Sequence, residues 1–371
     1  MRASSRLAEE KRLAAADAAP ATVRVLSLSA MKDIVPFRRA LLRWYGLHQR
    51  DLPWRKTRDP YLIWISEIML QQTRVAAVLE HYRIFLERFP DLQALVAASE
   101  ESVLAVWSGL GYYRRARMLH QCAREIAGQR GGCFPRNCTS LLTLPGIGRY
   151  TAAAIASIAF AEPVAVVDGN VERVLQRVMG VKLSAQPTWQ HAQTLLSHSR
   201  PGDFNQAMME LGATVCVPRA PRCPECPIRK WCATRGEVPG VKPSFRQGKK
   251  QIWCALDWRK HGAGEIRLVR RPSAVSLMPG MWELPQISEP RRWMRDAEPW
   301  RTFRHSVTTT DYTVHVVRNT LVRGQGLARS KGGSAALPRR AAKGNWIPVE
   351  RIPQLALTGL TRKILKAGAI I

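Results

Sequence analysis

The chain has 371 residues, enough for two or three compact regions with separate cores. Lys and Arg number 57 against 28 Asp and Glu, a formal charge of +29, which points to a polyanion as partner, nucleic acid first. No apolar run reaches the roughly 18 residues that a membrane-spanning helix requires, and the eight cysteines do not form a secreted disulfide framework, so the sequence predicts a soluble protein of the reducing cytoplasm with no membrane role.

Residues 1–31 lack the continuous apolar core of a signal peptide and carry acids that a transit peptide avoids; they read as a disordered N-terminal extension. Residues 32–232 read as consecutive amphipathic helices with hardly any alternating pattern, an all-α region. Asp59-Pro60 is a start signal, a capping acid before a proline suited to a first helical turn, leading into "YLIWISEIMLQQT". Thr139-Ser140 is expected to open a short helix before "LPGIGRYTAAA", and Asp168 to cap the helix "NVERVLQRVMG". Residues 233–250 mix Gly, Pro and basic residues without period, as a linker does. Residues 251–371 change pattern: "QIWCALDW", "EIRLV", "MWELP", "YTVHVVRNTLV" and "NWIPV" read as strands, and "TGLTRKILKAG" as a closing helix, giving a smaller α+β domain.

Four groups of residues carry chemistry. In the Pro-Gly-Ile-Gly turn, Gly146 and Gly148 allow unusual backbone angles and remove side chains, so the amides that open the next helix, beside Arg149, can face a DNA phosphate. The plain alternative is an ordinary helix-helix turn. Cys216, Cys223, Cys226 and Cys232, separated by six, two and five residues, must converge on zinc or on a four-iron cluster, and the single short spacing disfavours a zinc ribbon. Glu67, flanked by Trp64, Ile65, Ile68 and Met69, is either a desolvated general acid or a surface glutamate on the polar side of its helix. Asp168 can serve both as a cap and as the carboxylate facing a developing cation. Gln71 and Gln72, one turn after Glu67, and Tyr112 with Tyr113 in "GLGYYRRAR", are planar groups beside bases, suited to propping open a duplex; a tyrosine buried under a loop is the default instead.

Together "LPGIGRYTA", "VVDGNVERVL" and the four cysteines resemble, in order and spacing, the helix-hairpin-helix, iron-sulfur DNA glycosylases, a superfamily that includes endonuclease III. "SEIMLQQT", "WSGLGYYRRARMLH" and a second domain containing "MPGMWELP" are similar to its adenine DNA glycosylases of the MutY type, which remove adenine mispaired with 8-oxoguanine. The resemblance implies a helix-hairpin-helix glycosylase domain over 32–232 with a [4Fe-4S] cluster on Cys216, Cys223, Cys226 and Cys232, followed by a Nudix-like lesion-recognition domain. It implies base excision repair of duplex DNA holding A:8-oxoguanine or A:G mispairs, by a monomer working in the cytoplasm at the nucleoid. Glu67 matches the acid that protonates the flipped adenine, Asp168 the carboxylate that stabilises the sugar cation, and Asn170 the polar residue beside it. Bifunctional relatives carry a lysine after "LPGxGR"; here stands Tyr150, which cannot form an imine, so only base removal is expected.

The C-terminal region departs from the resemblance twice. After Pro285, "QISEPRRWMRDAEPW" lacks the clustered glutamates that hold magnesium in Nudix hydrolases. In "FRHSVTTTDYTV", Val307, Thr308 and Thr309 occupy the place of the relatives' Phe-Ser-His, leaving Thr308, Thr309 or His305 to contact the lesion. Two other readings compete: an endonuclease III-like glycosylase and lyase acting on damaged pyrimidines, and an iron-sulfur DNA-binding protein without catalysis. Tyr150 and the extra domain count against the first, Glu67 with Asp168 against the second.

Overall fold

The computed structural model describes residues 34–236, 248–260, 264–287, 299–307, 310–322 and 344–371. These fall into two compact units that interleave along the sequence: one holds 34–58, 136–139 and 148–236, the other 59–135, 140–147 and the described residues from 248 onward. The N-terminal extension and most of the linker lie outside the described residues.

The first unit is helical. Helix α1 (Ile34–His48) turns Phe37, Leu41, Trp44 and Tyr45 inward, a helical spacing that makes one apolar stripe. The stripe meets Val171, Val174, Leu175 and Val178 of the helix Gly169–Met179 and Phe204 and Leu211 of the helix Pro201–Thr214 in one core. The helix Ala185–Leu195 adds Ala192 and Leu195 to it. Close approach matters here: a Cβ at Gly202 would stand 2.7 Å from the Ser157 carbonyl oxygen, so only glycine lets Pro201–Thr214 lie against Arg149–Phe160. Buried Glu210 takes two guanidinium groups, Arg50 Nη2 and Arg55 Nη2, each at 2.7 Å.

The second unit joins helices to a sheet. Its helices are α2 (Pro60–Leu70), α3 (Val75–Arg88), α4 (Leu92–Ala97), α5 (Glu100–Trp107) and α6 (Arg114–Gln129). Asp59 caps α2 as its sequence signals, accepting from Tyr61 N–H at 2.8 Å with Pro60 in the first turn; Asp91 and Ser99 cap α4 and α5 in the same way. After α6 the chain forms α7 (Cys138–Leu141), α8 (Arg149–Phe160), α9 (Gly169–Met179), α10 (Ala185–Leu195) and α11 (Pro201–Thr214). Helix α7 starts at Cys138, ahead of the expected Thr139-Ser140, because the first amide is capped from a distance: Cys138 N–H donates to Glu162 Oε2 at 2.6 Å.

The sheet runs in the order β3-β2-β1-β6-β5, with β4 on β1 and β7 on β2. Its strands are β1 (Gly248–Lys260), β2 (Glu265–Arg270), β3 (Trp282–Glu283), β4 (Gln286–Ile287), β5 (Arg301–Val307), β6 (Thr310–Val322) and β7 (Asn345–Pro348). Strands β1 and β6 pair in parallel from Gly248↔Thr310 to Lys260↔Val322, while β5 and β6 form an antiparallel hairpin. Alternate residues Cys254 and Leu256, Val314 and Val316, and Ile266 and Leu268 point to one face and bury against Ile364 and Leu365 of helix α12 (Gly359–Ala367). This mixed α+β region agrees with the pattern change seen in the sequence. Two details differ: β1 begins inside the expected linker, and "RTFRHSV", not among the expected strands, is strand β5 because pairing with β6 supplies a ladder that its mixed polarity does not advertise. No described helix is long and apolar enough to cross a membrane.

Candidate functional site

In the first unit the site is built around the N-terminus of α9. Buried Asn205 fixes the segment that leads to it: its Oδ1 accepts from Val166 N–H at 3.1 Å, and its Nδ2 donates to the Val164 carbonyl and to Ser157 Oγ, both at 2.9 Å. Asp168 follows as the N-cap, Oδ1 accepting from Val171 N–H at 2.7 Å and Oδ2 from Asn170 Nδ2 at 2.9 Å. Both carboxylate oxygens are thereby aimed. Asn170 is oriented in turn by Arg173, whose Nη2 donates to Asn170 Oδ1 at 2.8 Å and to the Gly212 carbonyl at 2.6 Å, while its Nε donates to the Cys216 carbonyl at 2.8 Å. A Cβ at Gly212 would lie 2.6 Å from Asn170 Cβ, so this approach needs glycine. Arg173 was not singled out in the sequence. Its i, i+3 position after Asn170 was the available signal.

Tyr150 and Arg149 open α8 in the same unit. The phenol of Tyr150 donates to Met209 Sδ at 3.5 Å, and the Arg149 guanidinium lies 3.9 Å from the Trp189 ring centroid, a close cation–π contact that holds an exposed cation at a helix N-terminus. The two glycines of the preceding turn differ. Gly146 is left-handed at φ 77°, and a Cβ there would meet Met118 Cβ at 2.6 Å. Gly148 caps α8 in an extended conformation open to any residue, so the expectation of unusual angles holds for Gly146 and is corrected for Gly148, whose contribution is the bare space in front of the helix amides.

The cysteine loop is tied to α9. Arg177 donates to the carbonyls of Cys216, Val217 and Pro218 and to Cys216 Sγ at 3.3 Å, and Arg235 N–H donates to Cys232 Sγ at 3.4 Å. Cys226 lies within electrostatic reach of Cys216, Cys223 and Cys232. Among the described residues no three ligating side chains gather around a single metal position. Sulfurs that accept N–H groups, as those of Cys216 and Cys232 do, have the chemistry of a metal-bound thiolate.

The second unit carries the remaining residues. Glu67 is buried at 5% exposure on α2, among Ile63, Trp64, Ile65, Ile68 and Met69, so it is not the surface glutamate of the alternative reading. Gln71 caps the end of α2, and Gln72 stands exposed on left-handed backbone at φ 55°. The two tyrosines separate. Tyr112 is 47% exposed at φ 47°, whereas Tyr113 is 3% exposed, its hydroxyl donating to the Leu357 carbonyl at 3.1 Å, and burial raises its pKa. The cation that organises this region, Arg115, sat unassigned in the quoted "GLGYYRRAR"; burial lowers its pKa to about 10, which leaves it charged at neutral pH.

His305 lies in strand β5 on the side of Phe303, half-buried, rather than in an exposed loop. Burial first, and the Lys363 ammonium second, lower its pKa. Thr308 and Thr309 lie outside the described residues.

Residues 65–198 match the HhH-GPD superfamily base excision DNA repair protein family. A solved thermostable thymine-DNA glycosylase is 33% identical with a TM-score of 0.51, covering 54% of this chain and 94% of its own. Adenine DNA glycosylase of Homo sapiens is 48% identical over 56% of this chain and 40% of its own length, that of Rattus norvegicus 47% over 62% and 48%, and that of Buchnera aphidicola from Schizaphis graminum 36% over 61% and 67%. The chain belongs to the HhH-GPD superfamily of base excision DNA repair proteins, within its MutY-type adenine DNA glycosylases. It spans about half or less of the mammalian relatives it matches.

Proposed function

We propose that this protein removes adenine opposite 8-oxoguanine or guanine in duplex DNA by hydrolysing the N-glycosidic bond of a flipped nucleotide, without strand cleavage. The observation that carries the reading is the burial of Glu67, on a helix whose buried residues are mostly apolar: a carboxyl withdrawn from water in this way can serve as the proton donor to a flipped base. Glu67 protonates the imidazole-ring nitrogen of adenine, the C1′–N9 bond breaks with its electron pair leaving on the base, and the sugar becomes cationic at C1′. Asp168, both oxygens aimed by Val171 N–H and Asn170, faces that cation by charge or as a covalent adduct until water adds at C1′ and gives up a proton, which restores the acid form of Glu67. Tyr150 supports the monofunctional outcome, since a phenol forms no imine with the abasic sugar.

The cysteine loop is read as the holder of a [4Fe-4S] cluster on Cys216, Cys223, Cys226 and Cys232. When bound, the cluster supplies four iron–thiolate bonds that pin a loop carrying Arg219 and Arg222 toward phosphate. The α+β region is read as a Nudix-like module without hydrolase chemistry, and Thr308, Thr309 or His305 as its lesion contacts. Duplex DNA is the partner, bound by a monomer in the cytoplasm at the nucleoid. The discriminating assay is a labelled duplex holding A opposite 8-oxoguanine, incubated with and without alkaline workup. Strand breaks only after alkali support the reading; breaks without alkali point to a lyase, and no breaks at all to a non-catalytic binder.

A further inference from the structure

One half-buried cation ties three segments of the second unit together. Helix α2, which carries Glu67, ends with carbonyls that have no partner inside the helix. Arg115 Nη1 donates to two of them, Ile68 O at 2.6 Å and Met69 O at 3.0 Å, and to Gln71 O at 2.6 Å. Its Nη2 reaches Thr73 Oγ1 at 3.2 Å, Leu110 O at 3.4 Å and Gly111 O at 3.3 Å. The guanidinium carbon lies 5.3 Å from the Tyr112 ring centroid and 5.5 Å from that of Trp107, whose Nε1 also donates to Gly111 O. Two exposed planar side chains, Gln72 and Tyr112, project from left-handed backbone that non-glycine residues adopt at a cost. Such strain persists only where the surroundings over-determine it, and Arg115 is the group that both turns share.

We propose that Arg115 is a positioning residue that holds Gln72 and Tyr112 as one rigid element for opening the duplex, so that without it extrusion of the base, rather than bond cleavage, fails. This rests on the reading of Gln72 and Tyr112 as DNA contacts. Lysine cannot replace the guanidinium, because a single ammonium lacks the fork that spans six acceptors on two turns.

The test separates extrusion from chemistry in the full-length protein. Fluorescence of 2-aminopurine at the target position reports unstacking, and single-turnover cleavage is measured on adenine paired with 8-oxoguanine and on adenine in an unpaired bulge. For Arg115→Lys the fluorescence response and the rate on the paired substrate are expected to fall about tenfold, and the rate on the bulge less than about threefold. Glu67→Gln gives the opposite pattern, normal fluorescence with cleavage lost. A full fluorescence response in Arg115→Lys, or equal losses on both substrates, overturns the proposal. Should Arg115→Lys fail to fold, Thr73→Val removes one acceptor and keeps the cation; it is expected to move the paired-to-bulge ratio in the same direction by about twofold to threefold, and an unchanged ratio overturns the proposal. The double variant Gln72→Ala, Tyr112→Ala tests the underlying reading. If it extrudes the base normally, that reading fails; if it does not while Arg115→Lys does, only the assignment of Arg115 fails.

Discussion

At Asp168 one carboxylate caps a helix and, in the proposed reaction, also faces the sugar cation, and the two roles can be separated by choice of substitution. Asparagine caps almost as well as aspartate, whereas alanine costs about 1 kcal/mol. Asp168→Asn is therefore expected to leave thermal unfolding and duplex binding nearly unchanged while adenine release falls about 100-fold or more, and Glu67→Gln to do the same. Near-wild-type single-turnover rates in either variant would remove that residue from the reaction. Glu210 offers a prediction in pH. Burial alone would raise its carboxyl, but the hydrogen bonds from Arg50 and Arg55 overcome it and hold the group at about 2, below its ordinary 4.5. A depressed folded value stabilises the fold above the unfolded value, and the contribution is lost as pH falls from about 4.5 toward 2. Urea unfolding of wild type against Glu210→Gln should show a gap at pH 7 of about 3 kcal/mol that shrinks by roughly half at pH 3. A gap independent of pH would mean that the triad acts through packing rather than charge.

Among the elements, the turn before α8 gives a contrast between two glycines that are two residues apart in sequence and different in kind. Gly146→Ala must accept a left-handed angle and a Cβ that overlaps Met118, which predicts a loss of about 2 kcal/mol or more in thermal unfolding. Gly148→Ala meets open space on ordinary backbone and should cost less than about 1 kcal/mol, the difference between glycine and alanine as a cap. Equal losses would show that the turn is not built as described. The cysteine loop is a second element with its own anchor, because Arg177 binds its carbonyls from α9. Arg177→Met and Cys226→Ser are each expected to lower the iron content and the violet absorption of the purified protein; a colourless active protein with stoichiometric zinc would overturn the proposed cluster.

For the whole molecule, a charge of +29 is expected to make affinity for the proposed duplex partner steeply dependent on salt. Arg149, exposed at the start of α8 and braced by Trp189, should contribute one phosphate contact, so Arg149→Ala is expected to weaken all duplexes alike and to reduce the slope of log K against log salt by about 1. A loss confined to mispaired duplexes would assign it to base reading instead.

The sequence by itself determined the helical nature of residues 60–214, the caps at Asp59 and Asp168 and the spacing of the four cysteines, because each is a local pattern of propensity or spacing, whereas the burial of Glu67, left open by its flanking residues, was decided by packing. Tertiary structure decided what depends on residues far apart in the chain. Strand β5 exists through its pairing with β6, and α7 starts where Glu162 can cap it. The partition of Tyr112 and Tyr113 between solvent and core is set by the Leu357 carbonyl, over 240 residues away. The hydrogen bonds of Arg173 and Arg115 belong to the same class, because a guanidinium acts through the carbonyls it reaches, and nothing in the residues beside it reveals which backbone will fold within its range.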